Sequence, residues 1–258
     1  MQKQVEKHIL ALEKMKKYPE QLFYVGNEEL LYATKVSVIG SRKTSKYARE
    51  LTRKLASALS RVGVCVVSGG AMGVDAMAHL GAGSTSTIAV LPCGTDIKYP
   101  AVNKNLLSDI EKHGLLLSQF KSGFRATPWS FVVRNELVVA LGDVLVVAEA
   151  ELGSGSMRSI EYALKMHKEI FVFPHRLGES SATQELLQNN QAKVIYDIEK
   201  FVARFAQSDV KELKRSPFIE FCASNPSYEE ALSQFGEDVF NAELNGEIEI
   251  KNARIYLK

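Results

Sequence analysis

Six short apolar runs recur along the chain, at 36–39, 64–67, 88–91, 115–117, 144–147 and 170–173. They are rich in β-branched residues and show little polar alternation, which predicts strands covered on both faces, as in a parallel sheet. The stretches between them are amphipathic and predict helices over roughly 46–62, 72–82, 102–113, 129–142 and 156–167. This β-α alternation predicts an α/β fold with a doubly wound, mostly parallel sheet. In such sheets ligands bind beyond the carboxyl ends of the strands. Before the first run, Val5, Ile9, Leu12 and Met15 fall near a helical period, so residues 2–17 are expected to be helical.

Beyond residue 208 the pattern changes. The polar segment 208–216 ends at Pro217 and reads as a linker. A helix over 218–223 is expected, then a capping box at Ser227 and Glu230 opening a second helix. A third helix over 238–244 stops at Asn245-Gly246, and 248–250 with 254–257 form a hairpin turning through Lys251-Asn252. Three helices and a hairpin outline a winged-helix-like domain. The expected organisation is an N-terminal helical extension over 1–35, a main domain over 36–208 and a small domain over 217–258.

The chain has 258 residues, 46% hydrophobic and 24% charged, which fits a soluble globular protein. No run approaches the ~20 apolar residues of a membrane span, and charges occupy the place of a signal peptide's apolar stretch. A cytoplasmic location without membrane association is therefore expected. Cys65, Cys93 and Cys222 are isolated, so neither a metal site nor a disulfide framework is expected. Residues 217–258 hold eight Asp or Glu against Lys251, Arg254 and Lys258, a net −5, so the net +2 of the whole chain leaves +7 on residues 1–216. A basic body with an acidic tail suits an anionic partner, or only a solvated surface.

The strand ends carry the candidate chemistry. Gly40 is followed by Ser41, Arg42, Lys43, Thr44 and Ser45, a set of donors suited to phosphate at a helix start. It matches neither a dinucleotide fingerprint nor a P-loop. Ser68, Gly69 and Gly70 open a second glycine-rich turn whose N–H groups can meet an anion or whose glycines only permit close packing. In the helix that follows, Asp75 reads as a structural acceptor and His79 as a packed or capping histidine rather than a base. The segment 91–100 has a shape fixed by proline and glycine, in a binding or a scaffold role. Lys121, Arg125 and Arg134 interleave with Phe124, Trp129 and Phe131, a mixture suited to single-stranded nucleic acid, although some rings belong to the core. Ser154, Gly155 and Ser156 open a further helix.

Taken in order, Ser37 to Arg42, Ser68 to His79, Ala89 to Pro100, Arg134-Asn135 and Ser154 to Ser156 resemble the successive motifs of the DprA/Smf (DNA-processing protein A) family, over residues 36 to about 195. The resemblance implies an extended Rossmann-like domain that binds single-stranded DNA, forms homodimers and helps load the RecA recombinase during natural transformation. It implies competence and DNA recombination, with no catalytic residue, cofactor or metal. It assigns DNA binding to Arg42, Lys43, Ser68, Gly69, Gly70, Phe131, Arg134, Asn135, Ser154 and Gly155, and the strand-end donors and the basic-aromatic segment add Ser41 and Lys121 to the expected DNA-binding set. The family often has arginine after Arg-Asn, where this chain has Glu136, which weakens the local positive field. The competing reading is a nucleotide-processing enzyme of the lysine-decarboxylase-like (nucleoside 5′-monophosphate phosphoribohydrolase) group. That group's Gly-Gly-x-Gly-Thr-x-x-Glu motif has a catalytic Glu, where this chain has Ser159.

Overall fold

Each of the six apolar runs forms a strand, and three further strands join them in one nine-stranded sheet. The computed structural model describes residues 2–205, 217–222, 226–244, 248–251 and 253–257. The first unit, Met1–Phe205, begins with β1 (Lys3–Gln4), β2 (Phe23–Gly26) and β3 (Lys35–Ile39). Then follow α1 (Lys46–Arg61), β4 (Cys65–Ser68), α2 (Val74–Ala82), β5 (Thr87–Leu91), α3 (Lys104–His113) and β6 (Leu115–Ser118). The second half adds α4 (Pro128–Leu141), β7 (Val144–Val147), α5 (Ser156–Lys165), β8 (Ile170–Val172), α6 (Ser181–Gln188), β9 (Lys193–Val194) and α7 (Ile198–Ala203).

The strand order is β1-β2-β6-β5-β4-β3-β7-β8-β9. All pairs from β6 to β9 are parallel, while β2 joins β6, and β1 joins β2, antiparallel. This is the expected Rossmann-like α/β fold. From β3 the chain winds outward through β4, β5 and β6, then returns to lay β7 on the other side of β3. The direction of winding therefore reverses between β3 and β7. Alternate strand residues feed two apolar layers. Cys65, Val67, Ile88 and Val90 face a layer with Leu137, Leu141 and Ile160 from α4 and α5, whereas Val36, Val38 and Val66 face Leu55, Leu59 and Ala78 from α1 and α2. Strands buried on both faces need such continuous apolar runs.

The N-terminal segment departs from expectation. Residues 2–17 are not an α-helix: Lys3–Gln4 is a strand and Leu10–Lys14 a short 3₁₀ turn. Ile9, Leu12 and Met15 are all buried. Their three-residue spacing fits the 3.0 residues per turn of a 3₁₀ helix. Nor do residues 1–35 stand apart as an extension, because β2 pairs with β6 along Phe23 to Gly26 within the first unit.

The second unit is Ala206–Lys258. The proposed linker 208–216 and the helix stop at Asn245-Gly246 lie outside the described residues. Here α8 (Pro217–Cys222), α9 (Tyr228–Phe235) and α10 (Glu237–Leu244) precede the antiparallel pair β10 (Ile248–Lys251) and β11 (Arg254–Leu257). The Ser227 hydroxyl accepts the Glu230 N–H at 3.2 Å and the Glu230 carboxylate accepts the Ser227 N–H at 3.0 Å, completing the capping box. Phe218, Cys222, Ala231, Val239, Ile248 and Ile255 form its core. Among the described residues no helix is long and apolar enough to cross a membrane.

Candidate functional site

Between β3 and β7 the loops at the carboxyl ends of the strands diverge, as a winding reversal requires. They enclose an open groove of about 530 Å³. The loop after β3 contributes Ser41, Arg42 and Lys43; the loop after β7 contributes Glu151, Ser154, Gly155 and Ser156. Gly69 and Asp75 come from the turn after β4 and from α2, and Arg134 and Asn135 from α4.

The first loop is closed tightly on the second. A Cβ on Gly40 would lie 2.8 Å from the Glu149 carbonyl, so only glycine lets the strands end this close together. The Ser41 N–H then donates to that same carbonyl at 2.8 Å. The Ser41 hydroxyl accepts the Lys43 N–H at 3.1 Å and donates to the Lys43 carbonyl at 2.8 Å, so it shapes the loop. Ser45 caps α1, and the Glu149 carboxylate accepts its N–H and hydroxyl. Arg42 and Lys43 stay exposed, and neither forms an ion pair among the described residues. The Arg42 guanidinium lies 5.5 Å from the Phe131 ring centroid, a cation–π distance that steadies an otherwise mobile side chain. Tyr99 meets Phe131 edge-on at 5.7 Å, and the two rings, with Arg42, Gly69, Pro92 and Arg134, line a small cavity of about 40 Å³ beside the groove.

Under these rings lies a buried charged pair. Arg134 is only 5% exposed, with Nη1 3.8 Å from Asp75 Oδ2 and 3.4 Å from the Val90 carbonyl. Burial pushes the Asp75 carboxyl up, against the pull of Arg134 and of the Ala71 and Gly69 N–H groups. Burial likewise pulls Arg134 down. A Cβ on Gly69 would sit 1.4 Å from Arg134 Nη1, so the guanidinium occupies the space a larger residue would fill. Arg134 Nε and Ser154 Oγ, both in groove-lining residues, have no hydrogen-bond partner among the described residues. Buried donors left unpaired in this way suit a ligand that supplies acceptors. At the far side α5 starts at Ser156 with no side-chain cap; the Met157 N–H is spent on the Ser154 carbonyl at 3.1 Å, and the positive end of the helix dipole still faces the groove's anion side. The Glu151 carboxylate accepts from the Ser180 and Ser181 N–H groups and the Ser181 hydroxyl, which hold it below the usual carboxylate range.

The groove thus gathers Ser41, Arg42, Lys43, Gly69, Arg134, Asn135, Ser154 and Gly155, and Phe131 lines the adjoining cavity. Ser68 does not face it: the side chain is buried and its hydroxyl donates to the Val38 carbonyl of the neighbouring strand at 2.7 Å. Gly70 takes φ +68° to turn the chain, and its carbonyl accepts from Asn103 Nδ2 at 3.0 Å. Lys121 is exposed on the loop after β6 and lines neither cavity. Glu136 is absent from the groove lining; its Oε1 accepts the Lys16 N–H at 2.9 Å, so its charge is engaged by the N-terminal segment. His79 is buried as expected, its Nδ1 2.7 Å from the Thr87 hydroxyl. Tyr99 and Glu151 join the site without having been singled out. The Tyr99-Pro100 pair after β5 was the visible signal for the first, whereas nothing local marks Glu151. Among the described residues no cluster of His, Cys, Asp or Glu is placed to hold a metal ion.

The sequence profile of the DNA recombination-mediator protein A family matches residues 4–206. The chain is 35% identical over 191 residues to the DNA processing protein DprA of Streptococcus pneumoniae, covering 72% of this chain and 67% of that one. It is 34% identical over 177 residues to a putative DprA of Mycobacterium tuberculosis, covering 66% of this chain but spanning about half of that longer protein, 46%. Among solved structures, DNA processing protein A from Helicobacter pylori, described for its single-stranded DNA binding mode, superposes with a TM-score of 0.77 at 39% identity over 79% of this chain and 95% of that one. The Streptococcus pneumoniae DprA structure gives 0.73 at 32% identity over 80% and 74%.

Proposed function

This chain belongs to the DNA recombination-mediator protein A family, and from that membership we propose that it binds single-stranded DNA in the groove between β3 and β7. In this reading it protects incoming DNA and helps load RecA during natural transformation, as a cytoplasmic homodimer without a catalytic step or cofactor. The observation that carries it is the pair Arg42 and Lys43, exposed at the winding reversal and unspent on any carboxylate among the described residues. Arg42 gives a bidentate contact to one phosphate while Lys43 acts as a mobile point charge. The donors of Ser154 and the start of α5 face the same groove, and the Phe131 ring offers a base a stacking surface. Against the enzyme reading, Ser159 stands buried where that group's Glu would be, and Glu151 is engaged by two serines. The acidic second unit repels phosphate, so we assign it, as a winged-helix-like domain, to protein contacts.

Arg42→Ala is expected to weaken single-strand affinity roughly tenfold or more, since a charge-assisted hydrogen bond is lost. Adding Lys43→Ala should weaken it further and make the salt dependence shallower by about 0.7 per phosphate contact removed. Melting temperature should hold in both, because both side chains are exposed. Binding and melting measured on the same samples decide the matter: a lower melting temperature with unchanged affinity would make Arg42 a structural brace.

A further inference from the structure

The groove leaves unexplained the basic and aromatic residues that precede and open α4. Trp129, in the first turn of α4, is 62% exposed. One edge of the indole rests on Phe120, at 5.7 Å and 70° between planes, and Phe120 stacks on Phe124 at 4.3 Å. The loop beneath is fastened from two sides. Gln2 donates to the Phe120 carbonyl at 3.1 Å and accepts from the Ser122 N–H and hydroxyl, each at 2.8 Å. Asp96 accepts the Gly123 N–H at 3.0 Å, and the Gly94 N–H donates to the Phe124 carbonyl at 2.9 Å. Lys121 and Arg125 sit on this loop, exposed and without ion pairs among the described residues. A braced ring with an open surface, set beside two free cations, combines the two features by which single strands are held: stacking and phosphate attraction.

This loop follows β6, three strands from β3 in the sheet, roughly 14 Å at about 4.8 Å per strand. Tyr99, after β5, and Phe131 belong to the interval between them. We propose that Trp129 is a second base-stacking platform, which takes a nucleotide further along the strand whose phosphates Arg42 grips, with Lys121 and Arg125 following the backbone. This rests on the single-strand reading above and extends the path from β3 and β7 toward β6.

Trp129 is the single tryptophan of the chain, so fluorescence excited at wavelengths beyond tyrosine absorption reports this ring alone. Titration with a thymidine homopolymer should quench it, with the midpoint of binding read independently from a labelled oligonucleotide. Trp129→Ala should weaken affinity roughly fivefold or more, and Trp129→Phe should keep most of it. Binding with no quenching, and equal affinity in Trp129→Ala, would overturn the platform and leave the groove reading standing. Unchanged affinity with altered self-association in Trp129→Ala would assign the ring to a protein contact and equally overturn it. A wild-type protein that fails to bind the homopolymer at all would instead remove the groove reading.

Discussion

Replacing Arg134 by methionine is expected to lower folding stability by about 3–5 kcal/mol, the usual cost of leaving one member of a buried ion pair behind. Methionine preserves much of the apolar stem, so little of the loss comes from packing. The Asp75 carboxylate would remain in the interior with the Ala71 N–H, 3.2 Å away, as a surviving partner. Pairing Arg134→Met with Asp75→Asn should recover a large part of the loss, because no net charge is then buried. The single variant should also respond to acid. The folded carboxyl of Asp75 lies above its unfolded value, so protonation favours the fold. Its contribution is fully present below the unfolded pKa and is lost as pH rises through the folded one. Removing Arg134 removes an opposing influence and extends that trend to higher pH. Urea unfolding of the two single variants and the double variant checks this; strictly additive losses would show that the pair is not coupled.

The wild-type protein should lose about 2 kcal/mol of stability between about pH 7 and about pH 5 through His79 alone, at a slope approaching 1.4 kcal/mol per pH unit. Burial and the nearby Arg134 push the imidazole down to about 3, from an unfolded value of 6.5. The neutral ring is the folded form, so the contribution is complete above 6.5 and disappears as pH falls toward 3. Its hydrogen-bond partner fixes the tautomer. The Thr87 hydroxyl donates to the Val66 carbonyl at 2.7 Å, so it accepts from Nδ1–H, and Nε2 is left without a partner among the described residues. A proton added at Nε2 would be a buried charge with nothing to receive it. The carboxylates of Glu151 and Glu169 are held below their ordinary values and titrate at lower pH. In His79→Gln the slope above pH 5 should flatten; parallel curves for the two proteins would assign the acid sensitivity elsewhere.

What the sequence made legible follows from where each residue's partners lie. The strands at 36–39 and 144–147 are readable because burial on both faces leaves little room for polar residues. Phe23 to Gly26 was missed, being a short antiparallel strand next to the margin, with a half-buried valine and an exposed glycine. The N-terminal misreading came from a three-residue spacing taken for a helical one. In the site, the glycine-rich strand ends announced themselves, since Gly40 and Gly69 are demanded by backbone and guanidinium packing. The direction a hydroxyl faces did not: Ser68 and Ser154 look alike in the sequence, yet one is spent on Val38 and the other has no partner among the described residues. Arg134 and Glu151 owe their settings to partners many residues away, Asp75 and Ser181.

The sheet's two margins have a consequence for assembly. One ends in Lys3–Gln4 and the other in Lys193–Val194, each two residues long and each bearing a lysine. Stubs of this kind present too few free backbone groups to template another chain, and their ammonium groups repel a like edge. Copies of the first unit are thereby kept from zipping margin to margin into fibrous aggregates. Its nine strands stay a single layer, and the helix faces and loops around them are the surfaces free to meet another molecule without prising the sheet apart.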